Sequence, residues 1–409
     1  MEFLVPAHIG DGLTCMAGNV AVSAGCQSKK LSTQWESVFT YESLNGYATY
    51  PGYFYSFFRY FVTENAEWSV LRIRLFNGMI AGLLIVLVVA LRNFTSTDNR
   101  FGHAVLATLV PPLLFLIPSV NPMSWTLFGV PLMAVGLTNA LDRKLPIKFR
   151  VISMFLSAFA GVLALGARVE ARIWLLTIAF CVLVSKLPRT KRQVILPKVM
   201  RSQTLTLFSA MLVAVFMIVL TSNTLGSFLA FGEPVEGPSR TWWLILTNNF
   251  ITLPDFFIGF LGGGTWNVAA DARFVTPSLT IVAYTTILSC TVVALWRSAS
   301  SESRTLVLSL TFALIVWTLV VHQANSYFIG KIVQPRYLLP LFVAAILLLG
   351  RDIGPQISPR FRRISVSVMA VGHAVLLYQH LRRYVVGLRE WENDDLGCVA
   401  CALSPREWW

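Results

Sequence analysis

Charge is scarce in this chain. Asp, Glu, Lys and Arg together make up 13% of its 409 residues, against the ~25% of an ordinary soluble domain. Acidic residues are the scarcer sign, 20 against 33 basic ones, and the net charge is +13. Histidines number five and cysteines six. Several phosphate and hydrolase signatures are missing as well. There is no Walker loop and no glycine-rich dinucleotide fingerprint, and neither HExxH nor GxSxG occurs. Those absences argue against ATP hydrolysis, metalloprotease chemistry and serine hydrolysis.

Apolar length is what the chain has in quantity. Hydrophobic residues make up 55% of the sequence, and the mean hydropathy is +0.64. About twenty apolar residues cross a bilayer, and ten stretches approach that length. They run roughly over 74–92, 102–118, 122–141, 150–167, 171–187, 203–222, 275–296, 305–322, 337–350 and 364–381. This predicts an all-α polytopic membrane protein of about ten spans. Residues 1–73 form a partly ordered N-terminal segment, 74–381 the transmembrane domain with a long loop at 223–274, and 382–409 a tail. The apolar piece Trp242 to Leu261 holds Asn248, Asn249, Pro254 and Asp255, which predicts a broken, re-entrant or interfacial segment.

The surplus of positive charge is placed by this topology. Basic clusters lie at Arg92 to Arg100, Arg143 to Arg150, Lys186 to Arg201, Arg297 to Arg304 and Arg351 to Arg363. With ten spans all five fall on one side, as the positive-inside rule asks. Anionic lipid, and no nucleic acid, is then their expected partner. The opposite, external side receives the N-terminal segment, the turns at 119–121 and 166–172, the stretches 223–274 and 323–336, and the tail. A long polar N-terminal segment on that side, with no span before it, predicts that an upstream span is missing from the sequence. Cys15 and Cys26, and Cys398 and Cys401, share the external side, where disulfides are permitted. No second ligand pair accompanies Cys398 and Cys401, so zinc is not expected.

The unusual polar residues gather on the same side. Glu2, His8 and Asp11 offer two carboxylates and an imidazole, groups suited to general acid–base work; a frayed terminus is the alternative. Tyr50 and Tyr53 belong to an aromatic run that reads either as an interfacial anchor or as a wall for a sugar or lipid chain. Asn121-Pro122 reads as a helix start or as part of a site. Arg168, Glu170 and Arg172 form either a phosphate clasp or a salt-bridged turn. Asp271 lies with Arg273 ahead of the seventh span. Gln334, Arg336 and Tyr337 open the ninth. Arg336 is the most telling of these, because a cation at a helix N-terminus gains nothing from the macrodipole and is better explained by an anion held beside the helix amides. No cofactor is indicated, and no metal site.

Taken in order, the Tyr50-Pro51-Gly-Tyr53-Phe-Tyr55 run, Asn121-Pro122, Arg168-Val-Glu170, the Gly259 to Asp271 stretch and Arg336-Tyr337-Leu-Leu-Pro340 carry a resemblance. From about Cys15 to Leu349 the chain resembles a family of actinobacterial multi-spanning membrane proteins related to the GT-C-fold glycosyltransferases, which use polyprenyl-phosphate sugars. The resemblance implies sugar transfer from a polyprenyl-phosphate donor to a cell-envelope glycan or lipid acceptor, outside the plasma membrane, with both termini external. Such proteins open with one span and an acidic motif followed by a His, whose carboxylate is the base. Here only Glu2 and His8 occupy that place, a departure that again points to a lost span. A transporter or lipid flippase would instead show ionisable residues within spans and internal repeats; His103 and His373 read as isolated. A non-catalytic scaffold of an envelope-synthesis complex is the third reading.

Overall fold

The computed structural model describes residues 2–6, 38–42, 52–63, 66–95, 99–186, 242–261, 278–324, 326–329, 334–352 and 354–385. These residues are helical apart from one antiparallel ribbon. In it β1 (Glu2–Pro6) pairs with β2 (Val38–Glu42), placing Glu2 opposite Glu42. Twelve helices follow: α1 (Gly52–Phe58), α2 (Ala66–Thr95), α3 (Arg100–Thr108), α4 (Pro111–Leu116), α5 (Met123–Ala140), α6 (Ile147–Ala167), α7 (Ala171–Lys186), α8 (Trp242–Ile258), α9 (Ser278–Arg297), α10 (Ser301–Ala324), α11 (Pro335–Gly350) and α12 (Pro359–Val385).

Six helices among the described residues are long and apolar enough to cross a bilayer: those within α2, α6, α8, α9, α10 and α12. The expected count of ten is not reached. One expected span, 203–222, lies outside the described residues. α7 and α11 are shorter, at 16 residues each. The span expected at 102–118 is split. Pro111 and Pro112 bring no amide hydrogens, so the carbonyls one turn earlier lose their helical donors. Val110 turns extended (φ −72°, ψ 155°) and α4 starts anew. The Leu109 carbonyl is satisfied from outside, by His373 Nε2 at 2.8 Å.

The prediction for Trp242–Leu261 needs correction in one respect. The segment is an unbroken helix through Pro254, extended by a 3-10 turn to Leu261. Its asparagines do not interrupt it: the buried Asn249 side chain bonds the backbone of Tyr327 and Ile329, and Thr252 Oγ1 donates to the Asn248 carbonyl at 2.8 Å. The contacts of α8 nevertheless stay at one end of the bundle. Trp242 O meets Gln323, Asn249 meets Tyr327 and Ile329, Phe256 meets His322, and Phe260 meets Phe342.

α5 and α11 form the centre. Both are buried on nearly every side, the pattern of helices that are hydrophobic all round. α5 packs most closely against α6. A Cβ on Gly129 would stand 2.6 Å from Ala160 O, and one on Gly136 2.9 Å from Ser153 O and from the Ser157 side chain. Glycine at these two positions lets the helix backbones meet, the small-residue packing of membrane helices. Around this pair α2, α6, α9 and α12 turn rows of exposed apolar side chains outward, Leu83, Phe155, Val282 and Val371 among them. These faces meet lipid.

The two ends differ in chemistry. At one, Asn99 exchanges hydrogen bonds with the backbone of Ile357, Arg100 is wholly buried with its Nη2 on Leu295 O, and Asp352 caps the start of α10 through Ser300 N and Ser303 Oγ. Exposed Arg143, Lys144, Lys148, Arg297, Arg360, Arg362 and Arg363 rim this basic end. The other end exposes Tyr53, Tyr55, Tyr60, Trp68, Trp242 and Trp243, residues favoured at headgroup depth. By the positive-inside rule the basic end is the one expected to face the cytoplasm. A cysteine introduced at Lys144 should therefore resist an impermeant maleimide in intact cells, and one at Tyr60 should react. The reverse labelling pattern would invert the topology.

Candidate functional site

The aromatic end is built up from a three-residue turn. α6 stops at Arg168, whose extended backbone (φ −145°, ψ 141°) ends the helix, and α7 begins at Ala171. Arg168 thus stands at a helix C-terminus and Glu170 at a helix N-terminus, each charge complementing its macrodipole. The two are paired. Arg168 Nε donates to Glu170 Oε2 at 3.1 Å, and Nη2 donates to Oε1. Both residues are buried, Arg168 at 3% exposure and Glu170 at 0%. The fork occupies both carboxylate oxygens, the bidentate geometry that makes arginine the strongest partner of a carboxylate. The ion pair of this turn is thus formed.

A second element brings in another guanidinium. α11 opens with extended Gln334, then Pro335 in the first helical position, where a missing amide hydrogen costs nothing. This start sets Tyr337 against the turn. The Arg168 Cζ lies 4.7 Å from the Tyr337 ring centroid and the Arg336 Cζ 5.2 Å from the same centroid. Arg336 Nη2 also approaches Tyr337 Oη at 3.4 Å. The two guanidinium carbons therefore stand within about 10 Å of each other around one aromatic ring, at cation–π distance. Glu170 is held by Arg168, so the described cluster comprises the Arg168–Glu170 pair and Arg336 around Tyr337. Two buried polar atoms nearby, Gln334 Oε1 and Trp174 Nε1, have no hydrogen-bond partner among the described residues. Trp174 follows Glu170 by one helical turn on α7.

Sequence positions far apart thus meet: Arg168, Glu170, Arg336 and Tyr337 form one cluster, with Gln334 at the head of the same helix. Tyr53 stands at the rim, 76% exposed, with its Cβ 3.4 Å from where a Gly166 Cβ would lie. Its neighbour Phe54 is fully buried, with its ring 5.0 Å from that of Trp125. Asn121 is occupied with local structure: its Oδ1 accepts from Met123 N at 2.8 Å and its carbonyl from Ser124 N. Arg172 is exposed and outside the cluster. Tyr50, His8, Asp11 and Asp271 lie outside the described residues, and of Glu2 only the backbone in β1 is described. Among the described residues no three His, Cys, Asp or Glu side chains gather as a metal site.

Two residues at this end, Asn77 and His322, escaped the sequence reading, and a third, Asn249, reads there only as a helix breaker. Asn77, fully buried on α2, donates to Ser119 O at 2.7 Å and accepts from Trp125 Nε1 at 2.9 Å. Asn249 clamps the loop ahead of α11, giving Nδ2 to Tyr327 O and taking Ile329 N on Oδ1. His322 is fully buried in the last turn of α10, with its Nδ1 bonded to Thr318 O at 2.7 Å. Asn77 is a single polar residue inside an apolar run, and that interruption was the signal available for it in the sequence.

A family model described as "Predicted membrane protein (DUF2142)" matches residues 14–345, a stretch that takes in the Arg168 turn, α8 and the start of α11. No curated protein matches the chain, and no solved structure does.

Proposed function

The chain belongs to the DUF2142 family of multi-pass membrane proteins, and on that premise we propose that it is a glycosyltransferase of the GT-C type. It would transfer a sugar from a polyprenyl-phosphate donor to a glycan or lipid acceptor of the cell envelope, at the external face of the plasma membrane, with both termini on that face. The observation that supports this reading is the cluster of Arg168, Arg336 and Tyr337 at the aromatic end. Guanidinium groups gathered about an aromatic ring at the aromatic end suit a phosphate and a sugar together. Arginine pairs phosphate oxygens through its planar fork, and a tyrosine ring offers a stacking face. In this reading Arg336 holds the donor phosphate as it leaves. Arg168 is kept in place by Glu170, and a carboxylate of the N-terminal segment, Glu2 or Asp11, takes the acceptor proton in a direct displacement at the anomeric carbon.

Arg336→Lys tests the reading. Lysine keeps the charge and loses the fork, so transfer from a synthetic polyprenyl-phosphate sugar by purified protein should fall by the worth of a charge-assisted hydrogen bond, roughly 1–3 kcal/mol. The melting temperature should hold. Unchanged transfer would remove Arg336 from the site; parallel loss of transfer and stability would make it a structural cation.

One observation favours a second reading, a lipid flippase. The α3–α4 break falls near the middle of the bundle's depth, and irregular backbone at membrane depth marks transport sites. His103 and His373 are not isolated there: His103 Nε2 meets Thr291 Oγ1 at 3.0 Å, and His373 bridges Tyr284 Oη and Leu109 O. Transbilayer movement of a labelled lipid in proteoliposomes, with no sugar transfer, would decide for it.

A further inference from the structure

His373 lies midway along α12, with its ring half-buried against the α3–α4 break. Its Nε2 is 2.8 Å from the Leu109 carbonyl oxygen, and its Nδ1 is 2.6 Å from that of Met369, one turn back on its own helix. Carbonyl oxygens only accept, and a neutral imidazole has a single N–H to give. The ring that serves both carbonyls is an imidazolium. A third group covers the other case. Tyr284 Oη on α9 stands 2.7 Å from Nδ1 and 3.3 Å from Met369 O. With Nδ1 bare, the hydroxyl can donate to it; with Nδ1 carrying a hydrogen, the hydroxyl can donate to Met369 O. The Leu109 carbonyl keeps Nε2–H as its donor in both cases. Each polar group of the site is thus bonded with the proton present and with it absent.

The sequence assembles this site from separate parts. Pro111 and Pro112 leave the Leu109 carbonyl open to an outside donor. A Cβ on Gly372 would stand 3.0 Å from Tyr284 Cε2 and 3.2 Å from its Oη, so glycine beside His373 admits the tyrosine, which meets the imidazole edge-on at 5.2 Å. Tyr284 is the titratable side chain that α9 turns to the ring, and the α3–α4 break presents backbone. His103 on α3 is tied to Thr291, seven residues further along α9, and Arg362 lies eleven residues away toward the basic end of α12. Neither α3, α4, α9 nor α12 contains Asp or Glu, so no carboxylate of these elements fixes the ring in one charge state.

We propose that His373 is a proton-binding site within the membrane. The proton is taken up on Nδ1, which then donates to Met369 O; on its release Tyr284 turns its hydroxyl from Met369 O to Nδ1. The shortest way out leads to water at the aromatic end, because Tyr284 is six residues, about 9 Å, from the start of α9 at Ser278. Groups that gain and lose charge at membrane depth are the parts from which proton relays are built. The inference requires neither sugar transfer nor lipid movement, and it stands or falls apart from both readings above.

Solid-state NMR of the purified full-length protein in lipid bilayers tests it, with 15N-histidine and 13C-carbonyl methionine as labels. A histidine nitrogen close to a methionine carbonyl marks the Met369–His373 pair in the unaltered protein, so the assignment needs no variant. Over the pH range in which the protein stays folded, this nitrogen should pass from protonated to bare while the second nitrogen of the ring stays protonated. Tyr284→Phe should then move the signal of the bare nitrogen, which has lost its donor, and leave that of Nε2 in place. A ring that keeps one form throughout would overturn the proposal: neutral, it is a cap for the Leu109 carbonyl, and charged, it is a fixed cation. Loss of the proton from Nε2 instead of Nδ1 would overturn it as well, and so would a bare-nitrogen signal indifferent to Tyr284→Phe.

Discussion

Gly129→Leu should prevent α5 and α6 from docking and remove most folded protein from the membrane fraction. A Cβ at this position meets the Ala160 carbonyl oxygen at 2.6 Å and the Ala164 Cβ at 3.2 Å. The first of these is backbone, so no rotamer change relieves it. Overpacking a membrane core costs about 1–3 kcal/mol when side chains can adjust; here whole helices must separate, and the cost should exceed that range. Gly129→Ala should give a smaller loss of the same kind, and Gly82→Ala, where nothing lies within 4 Å, should give none. Detergent-solubilised yield and melting temperature read the series. A Gly129→Leu protein as stable as the parent would mean that α5 and α6 do not approach as described.

The second large effect concerns the buried ion pair. Glu170→Ala leaves the Arg168 guanidinium without the carboxylate that occupies its fork, at 3% exposure. Removing one partner of a buried pair costs about 3–5 kcal/mol, whereas replacing both by apolar residues of similar volume is often neutral. Glu170→Ala should thus lower the melting temperature far more than the double replacement Arg168→Met with Glu170→Leu. The double variant should fold and still lose any function that needs the cation beside Tyr337. If the single and double variants are equally stable, the pair contributes little, and the turn is held by the backbone bonds from Ala171 N, Arg172 N and Ile173 N.

Much of the arrangement was legible in the sequence, for reasons that can be named. Hydropathy marked the six described helices long enough to cross a bilayer, and the basic clusters marked one end that several of them share, because both signals are summed over many residues. The meeting of Arg168 with Arg336 and Tyr337 was legible only as a shared side; that they flank one ring depends on how α7 and α11 pack, and no local pattern encodes that. The α3–α4 break was written in Pro111-Pro112, yet hydropathy averages over it. Trp242–Leu261 misled because Asn249 and Pro254 read as breakers, while tertiary bonds to Tyr327 and Ile329 gave the asparagine its partners. Arg172 was legible as a neighbour of Glu170 in sequence, but not as a side chain that the first turn of α7 leaves exposed.

The burial of α5 bears on how the chain is made. In the finished protein this helix touches lipid almost nowhere, yet during synthesis it must leave the translocon into a lipid environment. Its sequence is a poor candidate for doing so alone, since Ser124, Thr126, Thr138 and Asn139 interrupt it and Pro131 lies at its centre; polar residues count against insertion of an isolated helix. α6 follows after a turn of six residues, and Ser157 on it donates to Met133 O at 2.9 Å. The two are therefore suited to partition together as a hairpin, with glycine faces already joined. On that account a lesion at Gly129 acts in biogenesis, before the remaining helices exist to compensate for it.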